Sequence, residues 1–191
     1  NSTFTTNQAT NGGGGAIRLV NAKAILVNNT IVNNQASMAW RGGGISIFYP
    51  SYVQLKNTIL ATNTSNGVPD DCECETYSLG LSIANSVLNN LVQVGNCTGI
   101  TAALQLGALQ DNGGDTQTMA LLTGSPAIDA GNNASCQATD QRGISRPLDG
   151  NDDGTVTCDM GAVEIEGVPL PPSNFTTTPI SETQINLAWQ D

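Results

Sequence analysis

Along the first ninety residues apolar and polar positions alternate in short runs, and the runs repeat. Ile25-Leu26-Val27-Asn28-Asn29-Thr30-Ile31, Val53-Gln54-Leu55-Lys56-Asn57-Thr58-Ile59 and Leu81-Ser82-Ile83-Ala84-Asn85-Ser86-Val87 align at a spacing of about 28 residues, the length of a solenoid repeat. Three apolar columns result: Ile25/Val53/Leu81, Val27/Leu55/Ile83 and Ile31/Ile59/Val87. Asn1 joins Asn29, Asn57 and Asn85 in a column of pure asparagine. Alternation with period two marks strands that bury one face, and self-similarity at roughly 20 to 50 residues marks a solenoid. In-register asparagines can hydrogen-bond along a stack whose strands lie about 4.8 Å apart. The pattern therefore predicts a right-handed parallel β-helix over residues 1–103, with a sandwich or barrel as the competing all-β architectures.

Two glycine runs fit this reading. Gly12 to Gly15 and Gly42 to Gly44 each precede an apolar run, Ala16-Ile17 and Ile45-Ser46-Ile47. They fall where a coil must turn tightly or bring two backbones together. Gly15 and Gly44 stand one position further apart than the asparagines do, so the register is expected to absorb one residue.

Charge divides the chain. Residues 1–69 hold Arg18, Lys23, Arg41 and Lys56 and no acid, a net +4; the remainder is −14, giving −10 in all. With a pI near 4.1 and six basic residues, nucleic acid is an unsuitable partner. No run of about 18 apolar residues is present, so membrane insertion of this segment is not expected. The chain opens inside the repeat at Asn1 without a leader, which predicts processing or excision from something longer.

Five cysteines, Cys72, Cys74, Cys97, Cys136 and Cys158, follow the best repeats. Cys72-x-Cys74 has neither redox nor zinc spacing, and the chain has no histidine to act as a co-ligand. Disulfides are the better reading: Cys136 with Cys158, and Cys97 with either Cys72 or Cys74. That implies an oxidising, extracellular compartment. Asn-x-Ser/Thr triplets at Asn1, Asn28, Asn63, Asn96, Asn133 and Asn174 are glycosylation candidates, although a composition this rich in Asn, Ser and Thr generates such triplets by itself.

From about Leu104 onward Gly, Asp and Pro punctuate short segments. Asp149-Gly150-Asn151-Asp152-Asp153-Gly154-Thr155 resembles the start of a calcium loop, with oxygen ligands offered by Asp149, Asn151, Asp153 and the carbonyl of Thr155. Position 12 of such a loop is Met160 instead of a bidentate Glu, so a Ca2+ site must recruit Asp159, Glu164 or water, and it competes with a solvated acidic turn. Asp129 and Asp140, followed by Arg142 and Arg146, can form a carboxylate–guanidinium cluster that fastens an irregular cap to the last coil. The alternative, an acid/base pair acting on carbohydrate, lacks a groove of acids on the coil face.

The runs Leu109-Gln110-Asp111-Asn112-Gly113-Gly114-Asp115 through Leu122, Gly124-Ser125-Pro126-Ala127-Ile128-Asp129-Ala130-Gly131, Thr139-Asp140-Gln141-Arg142-Gly143-Ile144-Ser145-Arg146-Pro147 and Cys158-Asp159-Met160-Gly161-Ala162-Val163-Glu164 resemble the choice-of-anchor Q type of prokaryotic surface protein. The resemblance covers residues 70–166. It implies a pectin-lyase-like β-helix, non-enzymatic, closed by a cap over residues 104–166 and followed by anchoring or adhesive modules. The coils before it look like the repeats of polymorphic outer-membrane proteins. Residues 167–173 read as a stiff proline-rich linker. Asn174-Phe175-Thr176-Thr177-Thr178 and Thr183-Gln184-Ile185-Asn186-Leu187-Ala188-Trp189 resemble the first two strands of a fibronectin type III domain, incomplete over residues 174–191.

The expected function is that of a structural or adhesive protein at a prokaryotic cell surface. Its open strand edges, oppositely charged halves and unpartnered final strands suggest head-to-tail self-assembly into filaments. A polysaccharide lyase or hydrolase of pectin-lyase-like fold and a calcium-dependent, glycan-binding module are the alternatives.

Overall fold

A computed structural model describes residues 1–39, 41–48, 50–74, 90–92, 97, 99–167, 173–181 and 184–190. The chain is all-β; among the described residues it forms several small sheets, three parallel, one mixed and two antiparallel. The first pass of the chain lays down β1 (Ser2–Thr5), β2 (Gln8–Ala9), β3 (Ile17–Val20) and β4 (Lys23–Val27). The second repeats it with β5 (Asn29–Val32), β6 (Gln35–Ala36), β7 (Ile45–Phe48) and β8 (Tyr52–Lys56). A third adds β9 (Ile59–Ala61), β10 (Thr64–Ser65), β11 (Val68–Pro69) and β12 (Cys72–Cys74), and β13 (Leu91–Val92) follows. Strands of successive passes pair in parallel as β1-β5-β9-β13, β2-β6-β10, β3-β7-β12 and β4-β8, while β11 joins β10 antiparallel.

Glycine is required where these backbones meet. A Cβ on Gly43 would lie 2.3 Å from the Thr64 nitrogen, and one on Gly15 would lie 2.5 Å from the Gln35 and Gly43 carbonyl oxygens.

The register corrects the expected constant repeat. Ser2 pairs with Asn29, Ile17 with Ile45 and Lys23 with Tyr52, so the offset grows from 27 to 28 to 29 along one pass. The last added residue enters between Phe48 and Ser51, which close a turn through a 2.8 Å backbone bond. That single residue moves every later column. Ala24 and Leu26, not Ile25 and Val27, sit opposite the fully buried Val53 and Leu55. Ile25 is 64% exposed, contrary to expectation, and Val27 is half-buried beside Lys56.

The asparagine column shifts likewise. Asn29 and Asn57 do not share a column: Asn57 stacks on Asn28, both in the left-handed region with φ of 46° and 52°. Asn29 lies instead beside Thr58, whose Oγ1 accepts from the Asn29 nitrogen at 3.5 Å. Asn85, with Leu81, Ile83 and Val87, falls outside the described residues.

A different ladder runs through the stack. Asn7, Asn34 and Asn63 occupy one corner, each preceded by a residue of positive φ: Thr6, Asn33 and Thr62. Oδ1 of Asn34 accepts from both the backbone nitrogen (3.0 Å) and Nδ2 (2.8 Å) of Asn7. Asn63 Oδ1 serves Asn34 in the same way at 2.9 and 2.8 Å. Asp71 Oδ1 takes both bonds from Asn63 at 2.8 Å and ends the series.

Two apolar clusters flank the first sheet. Ile31 and Leu60 point to the interior with Ile45, Ile47, Val53 and Leu55. Val32, Ile59 and Ala61 point the other way and pack on Met119, Leu121, Ala127 and Met160. Ile59 is therefore buried as expected, but on the outer face. Because both faces are covered, β5 and β9 lose the alternation of a half-exposed strand and are buried throughout. The covering segment contains an antiparallel pair, β14 (Leu106–Gln110) and β15 (Thr118–Leu121), a 3-10 turn at Asn133–Ser135 and long irregular stretches. A separate antiparallel hairpin, β16 (Ser173–Ser181) and β17 (Gln184–Gln190), follows.

Two substitutions test the register. Leu55→Ala, at 1% exposure, should cost about 2–5 kcal/mol in urea unfolding, whereas Ile25→Ala should stay within about 0.5 kcal/mol. Equal losses would restore the constant-period alignment.

Candidate functional site

The irregular segment lies along the outer side of the first sheet, in contact with all three passes. Gly161 makes the closest approach: at φ +96° its nitrogen donates to the Asn57 carbonyl at 2.8 Å, and a Cβ there would come within 2.7 Å of Ile59 Cδ1. Next to it, the Ala162 nitrogen donates to Thr30 Oγ1 at 2.9 Å. The two stacked left-handed asparagines read the segment's backbone. Asn57 accepts from the Asn132 nitrogen at 2.8 Å and donates to its carbonyl at 3.1 Å. Asn28 accepts from the Gln137 nitrogen at 3.2 Å and donates to the Asp159 carbonyl at 3.2 Å. Thr3 of the first pass reaches Gln141 at 2.8 Å.

Charged side chains hold this segment to itself. Arg146, with a fully buried side chain, meets Glu164 at 3.2 Å and donates to the carbonyls of Asp159 (3.1 Å) and Gly161 (2.9 Å). Arg142 pairs with Asp140 at 2.8 Å and also donates to the Glu164 carbonyl. The expected carboxylate–guanidinium cluster forms only in part: Asp140 pairs with Arg142, Arg146 takes Glu164 as its partner, and among the described residues Asp129 makes no ion pair with either arginine. The ion pairs join parts of the segment to one another and not to the last coil. Sequence reasoning gave its second half, Asp159 and Glu164, no part in the cluster; they become visible only when the chain folds back.

The buried carboxylates spend their oxygens on backbone N–H groups. Asp140 accepts from the nitrogens of Arg142, Ile144 and Glu164, Glu164 from those of Leu148 and Asp159, and Asp159 from those of Asp129 (2.7 Å) and Ile165 (2.6 Å). Burial disfavours the charge on Asp140, yet these bonds and Arg142 hold its carboxyl below the usual range. For Asp159 burial wins over its two hydrogen bonds and, with the Glu164 and Asp129 charges nearby, pushes the carboxyl up to about 7. Burial also raises Glu164 against the pull of Arg146.

Asp129 differs. One oxygen accepts from the Gly150 nitrogen at 3.2 Å; the other, Oδ2, is buried and has no well-formed hydrogen bond among the described residues, with the Asn151 backbone nitrogen also near the carboxyl. Burial, with Asp149 and Asp153 adding to it, raises this carboxyl as well. Asp149, Asn151, Asp153 and Thr155 do come together in one exposed loop. There Asp149 accepts from the nitrogens of Asp153 (3.2 Å) and Gly154 (2.8 Å), Asn151 from that of Asp153 (2.9 Å), and Asp153 from that of Thr155 (2.8 Å). Two open clefts of about 490 and 470 Å³ border this loop, and both include Glu166.

Disulfides join Cys136 to Cys158 and Cys72 to Cys97. Cys74 is buried, with its sulfur 3.8 Å from that of Cys97. Among the described residues these last three cysteines are the group whose ligand atoms lie within 4.8 Å of one another, but the disulfide occupies two of them.

The glycosylation candidates divide. Asn28 and Asn63 are wholly buried with their amides committed to hydrogen bonds, so neither has room for a glycan in the folded chain. Asn1 and Asn133 also use their amides, donating to the Thr139 and Val156 carbonyls. Asn96 and the side chain of Asn174 lie outside the described residues.

Between about pH 5 and 7 the folded chain keeps a proton on Asp159 that the unfolded chain, with its carboxyl near 3.8, has released. Stability should therefore fall as pH rises through that window. Asp159→Asn should flatten this dependence in urea unfolding, and should cost about 1–3 kcal/mol because its amide turns a donor toward a backbone N–H. Parallel slopes in wild type and variant would assign the proton to another group. Comparison with known protein families, curated proteins and solved structures gives no match to this chain.

Proposed function

We propose that this chain is a right-handed parallel β-helix from the exterior of a prokaryotic cell, and that its role is structural or adhesive, not enzymatic. The architecture is supported by parallel pairing of successive passes on four sides of the stack, at offsets that stay close to one repeat. An oxidising exterior is supported by two disulfides. Within this reading the resemblance to choice-of-anchor Q surface proteins supplies the context. The segment 104–166 serves as a lateral brace, and the hairpin of β16 and β17 as the opening of a fibronectin type III module.

One observation carries the non-enzymatic reading. Asp140, Asp159 and Glu164, the carboxylates grouped by the fold, point both oxygens at backbone N–H groups and are buried. An acid/base pair must instead face a substrate. Incubation with acidic and neutral polysaccharides should yield neither new reducing ends nor unsaturated products; either product would establish the lyase or hydrolase alternative.

End-to-end association of copies belongs to the same proposal. Among the described residues, strands β1 to β4 pair on one side only. Phe4, Ile17, Ala24 and Leu26 are half-buried, whereas their register partners Ile31, Ile45, Val53 and Leu55 are fully buried, so an added layer would cover apolar surface. Attraction between the basic stretch 1–69 and the acidic remainder favours a second copy as that layer. Light scattering should show concentration-dependent assembly that salt weakens; because β16 and β17 pair with each other and not with an open edge, the assembly should survive deletion of residues 174–191. A monomer at low salt and high concentration would exclude it.

Calcium at the 149–155 loop is the proposal's one ligand, favoured by Asp129 Oδ2, buried without a well-formed hydrogen bond beside Asp149 and Asp153. Millimolar Ca2+ should raise the melting temperature, and Asp153→Asn should remove the shift.

A further inference from the structure

The two sulfurs of the Cys136–Cys158 bridge stand in different surroundings. Cys158 is fully buried, and three N–H donors are aimed at its Sγ: Asn28 Nδ2 at 3.5 Å, Asn57 Nδ2 at 3.8 Å and the Arg146 guanidinium at 3.5 Å. Asn28, Asn57 and the Arg146 side chain are themselves wholly buried. The Asp159 carbonyl oxygen lies 3.5 Å from the same sulfur. A neutral disulfide sulfur gains little from such donors, but a sulfur carrying full charge gains much, and a neighbouring cation favours thiolate over thiol. The backbone of Cys158 is fixed as well: its nitrogen donates to Asn133 Oδ1 at 2.8 Å, and its carbonyl accepts from the Gly131 nitrogen at 2.7 Å. Cys136, by contrast, is half-buried and ends the 3-10 turn of Asn133–Ser135, none of whose residues is buried.

We propose that this bridge is a thiol-exchange site with a fixed direction: a small thiol is taken up on Cys136, and Cys158 is the leaving group. The incoming thiolate attacks Cys136 Sγ. The new sulfur–sulfur bond forms as the Cys136–Cys158 bond breaks, and the electron pair leaves on Cys158 Sγ, where Asn28, Asn57 and Arg146 receive it. One thiolate is consumed and one is produced, so the reaction needs no oxidant and no reductant besides the thiol itself. A sulfur that holds charge well departs faster, and the same donors make it a weaker nucleophile for the return. The modification opens the covalent closure of residues 136–158 and leaves the Cys72–Cys97 bridge, whose cysteines lie in an apolar cluster, in place. It does not depend on the structural or adhesive role proposed above.

The test is a peptide map. The folded protein is mixed with glutathione at about pH 8, where thiolate is populated, sampled at short times and trapped with N-ethylmaleimide in denaturant. Trypsin cuts after Arg142 and so places Cys136 and Cys158 on separate peptides. Glutathione should be found on Cys136 and maleimide on Cys158, with the Cys72–Cys97 bridge still closed. Asn57→Ala removes one donor and should slow this reaction about threefold. A contact that only held the fold would act in the opposite sense, because its loss exposes the bridge and speeds attack. Glutathione on Cys158, equal labelling of the two cysteines, a bridge that stays closed, or opening of Cys72–Cys97 at the same rate overturns the proposal. So does a faster reaction in Asn57→Ala. Should that variant fail to fold, the wild-type map decides.

Discussion

A buried corner must satisfy its backbone without water, and the asparagines at that corner do so here. Asn34 and Asn63 are fully buried, and each offers one side-chain oxygen to two N–H donors of the pass before it. An unpaired buried N–H costs on the order of 1–3 kcal/mol, so every rung of this ladder resists a slip of even one residue. The apolar columns follow from the register the ladder fixes. Ile31 stands over Phe4, Ile45 over Ile17 and Leu55 over Leu26 because the corner between them cannot shift. Asp71 closes the series as an acceptor with no proton to pass on, and Asp71 and its neighbour Asp70 also take up the N–H groups of the Gly42 to Gly44 run.

The outer side of the first sheet is the second constraint. A sheet with one apolar face can leave the other in water, but here Val32, Ile59 and Ala61 turn outward and need cover. The segment supplying that cover has little regular structure of its own. Charge therefore replaces secondary structure as its organiser: Arg146 ties together Glu164 and two carbonyls, and Asp140 gathers three N–H groups and Arg142. Removing one partner from so buried a set would leave the others desolvated and unpaired, which is the costly outcome for buried ion pairs. The Cys136–Cys158 bridge then fastens the same segment where Cys158 is buried against Asn28 and Asn57.

Several of these features were legible in the chain as written. Alternating apolar runs at a nearly constant repeat specify stacked parallel strands, because side chains of successive residues must face opposite sides. The glycine runs specify close backbone contact, and the Cys136–Cys158 pairing and the Asp140–Arg142 pair were readable from local spacing and charge, whereas Asp129 was wrongly counted in and the Glu164 partner of Arg146 was not found. The true ladder also left a trace in the dipeptides Thr6-Asn7, Asn33-Asn34 and Thr62-Asn63, whose two intervals are unequal. A search for one constant period passes over them.

The remainder depended on tertiary structure. One residue added between Phe48 and Ser51 decided that Leu26, and not Ile25, is inward, since a shift of one reverses every face of a strand. The side on which residues 104–166 settle was decided by which strand face remained apolar after stacking, a property of assembled sheets and of no single run. Asp159 and Glu164 acquired their roles in the same way, through burial against Arg146, which local sequence cannot express. By itself the sequence determined the kind of strand, its approximate repeat and the chemistry available for cross-linking, because these rest on side-chain alternation and residue type. Register, the covered face and the buried charges were decided by the folded chain, because each depends on which distant backbone groups are left to be satisfied.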